Sequence, residues 1–518
     1  MRTKNTFINL LVNLGGQGVG LFVGMVARVF FVRLLSAEYL GLSNLFTNII
    51  SMFSLVELGV GSAMTFSLYQ PLAEQDVEKI KSLMMLYRKL YRLIGSVMLI
   101  LGFCGIPFYR YFMKEVPPID HLDLIYLLFV WNTAISYFYS YKRSLIITDQ
   151  KRYIATLFRY SFYIVLNVVQ IIVLYFTRNY YLFVGLQILF TWLENFFVSK
   201  RADKMYPYLK EKCIRPLTKD EFALIKRDIG AMIFHKIGGL TVNSTDNIII
   251  SKFLGLMVSG LYANYALIIQ ALKTVTAQFF QSLTASVGNL KVSEDEQYVL
   301  DVFYKILFIS FWIFSFVAIS LGILINPFVE IWLGPSYCFN GFVAAVLAAN
   351  FFFYAVRQAV LTFRDATGTY YYDRYKPLFE AIINLVASVW LVIHWGVAGV
   401  FIGTLLGFIF TGFWVEPLIL YKHIFHRSLK EYFKKYFVFL GVTSISAVCT
   451  VFVGSLVPGN DVFSFFAKVI ICVTIPNGVF WIFFHRSTEF RYFIMLAKKL
   501  FSLIWRKLLK KINYCRTK

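Results

Sequence analysis

The sequence predicts an all-α, polytopic membrane protein of about fourteen transmembrane helices, built as two pseudo-repeated six-helix lobes followed by two C-terminal helices. Three observations predict it. Of the 518 residues 58% are apolar and the mean hydropathy is +0.66, above the roughly half-apolar composition of soluble domains. Apolar runs of about 20 residues, enough to cross a hydrocarbon core of about 30 Å, recur from end to end. The connections between them alternate between basic and nearly bare.

The runs place helices at 9–32, 40–67, 90–109, 122–141, 154–176, 180–199 and 225–250, then at 257–287, 303–329, 338–363, 377–394, 397–420, 433–457 and 461–484. On one side the connections gather Arg2, Lys4 and the basic segments 79–92, 142–152, 200–227, 291–305, 364–376, 422–435 and 486–518. The other side carries only Arg33, Arg110, Lys114, Arg178 and Lys252, an asymmetry of about eight to one. Basic connections stay cytoplasmic, so both termini are expected inside a bacterial cytoplasmic membrane, as an even number of spans requires. MRTKNTF leads into the first apolar run without a small-residue cleavage site, so no secretory signal is expected. The expected organisation is an N-lobe at 1–199, a cytoplasmic linker at 200–224, a C-lobe at 225–421, two helices at 422–485 and a basic tail at 486–518.

The same features exclude other classes. The net charge of +23 follows membrane topology rather than a nucleic-acid face. The tail AKKLFSLIWRKLLKKINYCRTK suits either an anionic inner leaflet or plain solvation. Six scattered cysteines without a CxxC or Cys/His cluster support neither a disulfide framework nor a metal site. The external connections are short, leaving no folded domain to carry an acid and a base, and no HExxH, GxSxG or Walker motif occurs. Neither catalysis nor a cofactor is expected. Gly15-Gly16-Gln17-Gly18, Gly20 and Gly24 lie within a span, where they fit close helix packing or a bendable first helix better than a nucleotide loop.

A stretch from Arg28 to Ala63, RVFFVRLLSAEYLGLSNLFTNIISMFSLVELGVGSA, has an echo at ISKFLGLMVSGLYANY from Ile250. A shift of about 219 positions aligns Arg33 with Lys252, Leu35 with Leu254, Gly41 with Gly260 and Leu42 with Leu261. Half-chain repeats are typical of transporters, whose sites lie between the repeats.

Charges inside spans are expensive and usually functional. The basic ones are Arg28, Arg159, Lys236, Lys273, Arg357 and Lys468. The acidic ones are Glu57, Glu194, Asp246, Glu380 and Glu416. Lys236 and Lys273 fall near mid-span, whereas Arg28 and Arg357 fall a turn or two from an interface. Glu194, Glu380 and Glu416 are expected to meet solvent at helix ends. Two readings compete for the deep charges. One is structural pairing, of Glu57 with Arg28 and of Asp246 with Lys236 or Lys273. The other is a positive, hydrated cavity suited to a phosphate or diphosphate, which Arg grips with a fork and Lys with a point charge. Lys236, Asn243 and Asn247 share a helix face, and Asn264, Gln270 and Lys273 share a flank. Such amides suit sugar hydroxyls or interhelical bonds. The candidate substrate contacts are therefore Arg28, Lys236, Lys273, Arg357, Asn243, Asn247 and Gln270. Glu57 and Asp246 are the candidates for ion coupling.

The opening RTKNTFINL, the Arg28–Ala63 stretch, SLYQPLAEQDVEKIKSLMMLYRKLYR and the mid-chain STDNIIISKFLGLMVSGLYANY together resemble bacterial polysaccharide-biosynthesis membrane proteins of the Wzx-like flippase group. That group belongs to the multidrug/oligosaccharidyl-lipid/polysaccharide exporter superfamily. The resemblance implies two six-helix lobes across a cavity plus two helices. It also implies a cargo: an undecaprenyl-diphosphate-linked oligosaccharide, moved across the cytoplasmic membrane for O-antigen, capsule or exopolysaccharide assembly. The implied partners are the polyprenyl-diphosphate-linked glycan, the bilayer, and the glycosyltransferases and polymerase of that pathway, with no nucleic acid. The alternatives are a peptidoglycan lipid-precursor flippase, a cation-coupled multidrug antiporter and, with least support, a membrane glycosyltransferase or polymerase.

Overall fold

The computed structural model describes residues 2–57, 59–211, 216–218, 221–223, 225, 245–293, 295–369, 372–459, 461–495 and 498. Among them every regular element is helical and no strand occurs. The helices are α1 (Arg2–Leu34), α2 (Ala37–Phe53), α3 (Val60–Glu74), α4 (Val77–Cys104), α5 (Ile106–Tyr109), α6 (Leu122–Thr148), α7 (Arg152–Thr177) and α8 (Tyr180–Met205). A short helical segment at 245–253 precedes α9 (Leu256–Ser293), α10 (Glu296–Leu333), α11 (Gly341–Thr367), α12 (Lys376–Phe410), α13 (Gly412–His423), α14 (Leu429–Ser455) and α15 (Val462–Phe484). The chain is an all-α polytopic membrane protein, as its composition requires. Among the described residues ten helices are long and apolar enough to cross a membrane, or eleven if α4 and α5, bent by 55°, count as one span.

One of the ten, Lys376–His423, has 48 residues. As a single helix it would extend about 72 Å, far more than a bilayer. It folds back instead. Gly396 takes φ 56° and ψ −134°, a conformation open to glycine because it has no Cβ. The arms on either side then close on each other. Ser388 Oγ donates to the Val400 carbonyl (2.8 Å) and Asn384 Nδ2 to Thr404 Oγ1 (2.9 Å). The two spans expected at 377–394 and 397–420 are thus distinct, but the second breaks again at Thr411, where α13 begins.

The expected helix at 40–67 is also broken. α2 ends at Phe53, a single 3₁₀ turn covers Ser54–Glu57, and left-handed Gly59 (φ 80°) restarts the chain as α3. The span expected at 225–250 lies outside the described residues as far as 244.

By internal contact the chain divides into two units. One holds Met1–Ala271 with Pro377–Gly407, and the other holds Leu272–Lys376 with Phe408–Lys518. In the first, α1 packs on α7, α6 on α4 and α8, and α3 on α4. The glycine row of α1 serves this packing: Gly16 and Gly20 lie under the Tyr160 ring, and Gly24 faces the Tyr163 hydroxyl. The core of this unit includes Phe46, fully buried and edge-on to Tyr109 and Tyr126. In the second unit α10 packs on α11, α14 and α15, around Phe303, Phe308, Phe311, Phe351 and Phe363. Two polar links stitch its helices: Ser315 Oγ with Thr443 Oγ1 (2.7 Å) and Trp312 Nε1 to Asn477 Oδ1 (2.9 Å).

A close crossing in the first unit joins the two repeat segments. Gly41 of α2 and Gly260 of α9 meet backbone to backbone. A Cβ on Gly41 would strike the Leu256 carbonyl, and a Cβ on Gly260 would strike the Ala37 carbonyl; each would also stand 3.1 Å from the other glycine's nitrogen. Asn44 Nδ2 donates to Asn247 Oδ1 (2.8 Å) and Ser259 Oγ (3.3 Å) beside this crossing. We expect Gly41→Ala and Gly260→Ala each to cost about 1–3 kcal/mol, read as a lower apparent melting temperature of the purified protein. Because either methyl group already separates the same two helices, the double variant should lose less than the sum of the single losses. Additive losses would show that the crossing is not shared.

Candidate functional site

In lipid a charged side chain needs a partner or water, so the site is built from what each intramembrane charge meets. Arg28, on the α1 face that continues Gly24, is half-buried, and its Nη1 is buried with no hydrogen-bond partner among the described residues. Glu57 ends the 3₁₀ turn at the break after α2. Its Oε1 accepts from the Tyr91 hydroxyl (2.8 Å), and Tyr91 is joined to Tyr87, which donates to Ser144 Oγ (3.1 Å). The expected Glu57–Arg28 pair does not form: the break turns Glu57 toward the tyrosines of α4, and Arg28 makes no ion pair among the described residues.

Asp246 and Asn247 are consecutive on the 245–253 segment but face different neighbours. Thr404, in the second arm of the α12 hairpin, lies 3.4 Å from both Asp246 carboxylate oxygens and accepts from Asn384. Asn247 is the acceptor of Asn44, so its amide links helices beside the Gly41–Gly260 crossing. Asn264 is fully buried and donates to its own helix at the Gly260 carbonyl (3.3 Å). Gln270 is exposed on α9. Lys236 and Asn243 lie outside the described residues.

In the second unit the Lys273 ammonium sits 4.9 Å from the centre of the Tyr354 ring. Tyr354 and Arg357 are three apart on α11 and share a face, so Lys273 and Arg357 stand on one side of that helix.

Arg357 is also the centre of an ion cluster that the sequence did not disclose. Its Nε reaches both Glu416 oxygens (3.1 and 3.0 Å), its Nη2 reaches Oε1 (2.6 Å), and Lys376 Nζ contacts the same Oε1. Glu416 is 1% exposed and the Lys376 side chain 5%, so the expectation that Glu416 meets solvent at a helix end is corrected. The reason is the break at Thr411. It places Glu416 one turn into a new helix, and Gly412 has no side chain to fend off the guanidinium: a Cβ there would be 3.2 Å from Arg357 Cζ. Phe408 covers the guanidinium at 5.2 Å. Nearby, Arg364 Nη1 grips the buried Asp373 at 2.7 Å. Glu194 was likewise expected in solvent and is paired with Arg143. The available signals were carboxylates and cations set singly in apolar contexts, FWVEPLIL and YKPLFEAII, which say that a partner exists without saying which. Chemically, the cluster is two cations sharing one carboxylate. It can hold helices together. Among the described residues no group of His, Cys, Asp and Glu is arranged to hold a metal ion.

No protein-family model matches the sequence, and no curated protein matches it. Solved structures do match. One is a lipid II flippase MurJ in an inward closed conformation, with a TM-score of 0.62 at 14% identity over 92% of this chain and 99% of that one. A second is an inward-facing multidrug resistance MATE family transporter of the MOP superfamily, also at 0.62 and 14% identity, over 79% and 94% of the two chains. A third, a mutant of the Vibrio cholerae MATE transporter VcmN, gives 0.55 at 13% identity over 82% and 99%. What is shared is the fold. The chain has the fold of the MurJ and MATE structures, and at this identity the likeness carries neither a role nor a substrate.

Replacing Glu416 by Gln leaves two buried cations facing a neutral amide. We expect a loss of about 3–5 kcal/mol, as for breaking a buried pair, read as earlier thermal unfolding in detergent. Glu194→Gln, at the partly exposed Arg143 pair, should cost no more than about 1 kcal/mol. The triple change Arg357→Met, Lys376→Met, Glu416→Leu should restore most of the stability lost in Glu416→Gln. A Glu416→Gln protein as stable as wild type would show that the carboxylate is not holding the cluster.

Proposed function

We propose that the chain is a flippase which moves an undecaprenyl-diphosphate-linked oligosaccharide repeat unit across the cytoplasmic membrane for surface-polysaccharide assembly. The observation that carries the reading is the placement of Lys273 over the Tyr354 ring, three residues before Arg357 on α11, within a fold that a lipid II flippase also adopts. Cations suit the diphosphate, whereas a cation-coupled drug antiporter calls for an anionic path. Arg28 with its buried Nη1, and Lys236, would add to the positive wall. Asn243, Asn247 and Gln270 would meet the sugars. Two six-helix lobes rocking about this path would expose it to each leaflet in turn while the polyprenyl tail stays in lipid. Several moderate cationic contacts suit that cycle better than one tight clamp, because the head group must leave as well as enter.

In this reading no bond is made or broken, so the chain is a transporter and not an enzyme. Both termini lie in the cytoplasm, where the basic connections are retained, and the glycosyltransferases and polymerase of the same pathway supply and consume the cargo. Glu57 and Asp246 are the candidates for coupling to protons or sodium, each a carboxylate inside the membrane held by hydroxyl groups.

A second reading has a specific observation behind it. The likeness to a lipid II flippase over nearly the whole chain suits a peptidoglycan lipid precursor as cargo, which has the same head chemistry. Translocation in vesicles containing the purified chain, run in parallel with a lipid-linked oligosaccharide and with lipid II, separates the two. We expect transport of the oligosaccharide lipid, and its loss in Lys236→Ala plus Lys273→Ala at normal abundance and fold. Full activity of that variant would return both lysines to structural roles, and transport of lipid II alone would assign the other cargo. Glu57→Gln and Asp246→Asn should each abolish export at normal abundance. Near-normal export by both would remove ion coupling from these carboxylates.

A further inference from the structure

The basic end of the first unit opens between α4, α6 and α8 into two adjoining cavities of about 500 and 430 Å³. Arg88, Tyr141 and Lys142 line both. The larger is closed by the Pro207–Lys210 turn, with Tyr208 and Lys210 facing in, and the smaller is walled by Arg92, Phe138 and Trp192. None of these residues belongs to the transport path proposed above.

The charges here are of two kinds. Lys81 is held by Glu78 (2.5 Å) and Glu211 (2.9 Å), and Lys142 by Asp203 (2.7 Å). Arg88, Arg92 and Lys210 form no ion pair among the described residues. Arg88 and Arg92 are four apart on α4, so their guanidinium groups project from one face, where like charges repel each other. The retention of basic connections explains cations near the cytoplasmic leaflet. It does not explain two arginines a turn apart, neither of them in an ion pair among the described residues, beside a hollow walled by aromatic rings from two other helices and by Asp203 and Glu211, whose carboxylates are taken by Lys142 and Lys81. An anion with several oxygens does, since each guanidinium offers a fork that matches phosphate geometry. The outer face of α8 beside the hollow is apolar and exposed at Leu189, Trp192, Phe196 and Phe197, which offers a hydrocarbon chain a place to lie.

We propose that this groove is a binding site for the phosphate or diphosphate head group of an amphiphile whose tail runs along α8. Basic hollows between transmembrane helices on the cytoplasmic side are suited to such head groups. The chemistry is shared by anionic phospholipid and by a prenyl diphosphate. The site stands on the geometry of this unit and holds whichever cargo the chain carries.

The test is photo-crosslinking of the full chain in detergent micelles with a benzophenone-bearing farnesyl diphosphate, with adducts mapped by mass spectrometry. We expect adducts on the peptides covering 135–142 and 189–210. In Arg88→Gln plus Arg92→Gln those adducts should fall roughly tenfold, the equivalent of about 1.4 kcal/mol, while Arg88→Lys plus Arg92→Lys keeps a larger share. Both arginines are exposed, so the fold should survive, as a monodisperse elution profile would show. Displacement by phosphatidylglycerol micelles assigns the site to bilayer lipid. Displacement by unlabelled farnesyl diphosphate but not by phosphatidylglycerol assigns it to a prenyl diphosphate. Absence of adducts from those peptides, or adducts undiminished in the glutamine variant, overturns the proposal.

Discussion

The contact of Gly41 with Gly260 is the constraint on which the first unit depends. In lipid, helices gain nothing from burying apolar surface against one another, so close approach of backbones and polar links between helices must hold them. Both are present here. Gly41 rests on the Leu256 carbonyl and Gly260 on the Ala37 carbonyl, and the shift that aligns the two glycines also aligns Ala37 with Leu256. The contact therefore maps onto itself when the repeats are exchanged, as at an isologous interface between two subunits. Any side chain at either position would push both helices apart and withdraw Asn44 from Asn247 and Ser259. The echo in the sequence thus reflects a physical requirement: each repeat must present a bare backbone to the other.

The same economy governs the carboxylates. Glu57, Asp246 and Glu416 are each carried by an apolar stretch and each meets a different kind of partner: a tyrosine hydroxyl, a threonine hydroxyl, and a pair of cations. In every case the partner comes into reach because a helix is interrupted. The break after α2 turns Glu57 toward α4, the Gly396 hairpin carries Thr404 to Asp246, and the break at Thr411 sets Glu416 against Arg357. Broken helices are tolerated in membranes only where other groups re-satisfy the backbone, so interruptions and polar residues occur together.

This explains which features were legible in the sequence. Hydropathy alone is enough to read a polytopic helical membrane protein, because lipid admits few other solutions. Gly20-x-x-x-Gly24 announced close packing, and α1 does pack its glycines against Tyr160 and Tyr163. Two of the three interruptions were not legible. Ser54–Glu57 and Thr411 lie in runs whose hydropathy is continuous, whereas the turn at Gly396 was expected from the separate runs at 377–394 and 397–420. Once the breaks are missed, partners are missed with them. Glu57 was matched with Arg28 because the two lie on neighbouring spans, although one 3₁₀ turn points the carboxylate elsewhere. Glu416 was assigned to solvent because a continuous helix over 397–420 would have ended just beyond it.

The ion cluster bears on how tightly a positive path could hold its cargo. A lone buried guanidinium would bind a diphosphate strongly and release it slowly, which is a poor property at a site that must empty on both sides of the membrane. Arg357 is different, since it shares Glu416 with Lys376. In the proposed function these cations attract an anion while Glu416 remains as a competitor for the same hydrogen bonds. An arriving diphosphate would then exchange partners with Glu416, and its departure would be assisted by the return of the carboxylate. Lys273, placed over the Tyr354 ring on the same side of α11, adds a contact of the weaker, non-directional kind. Attraction that is moderate, shared and replaceable is what alternating access requires of a cationic site.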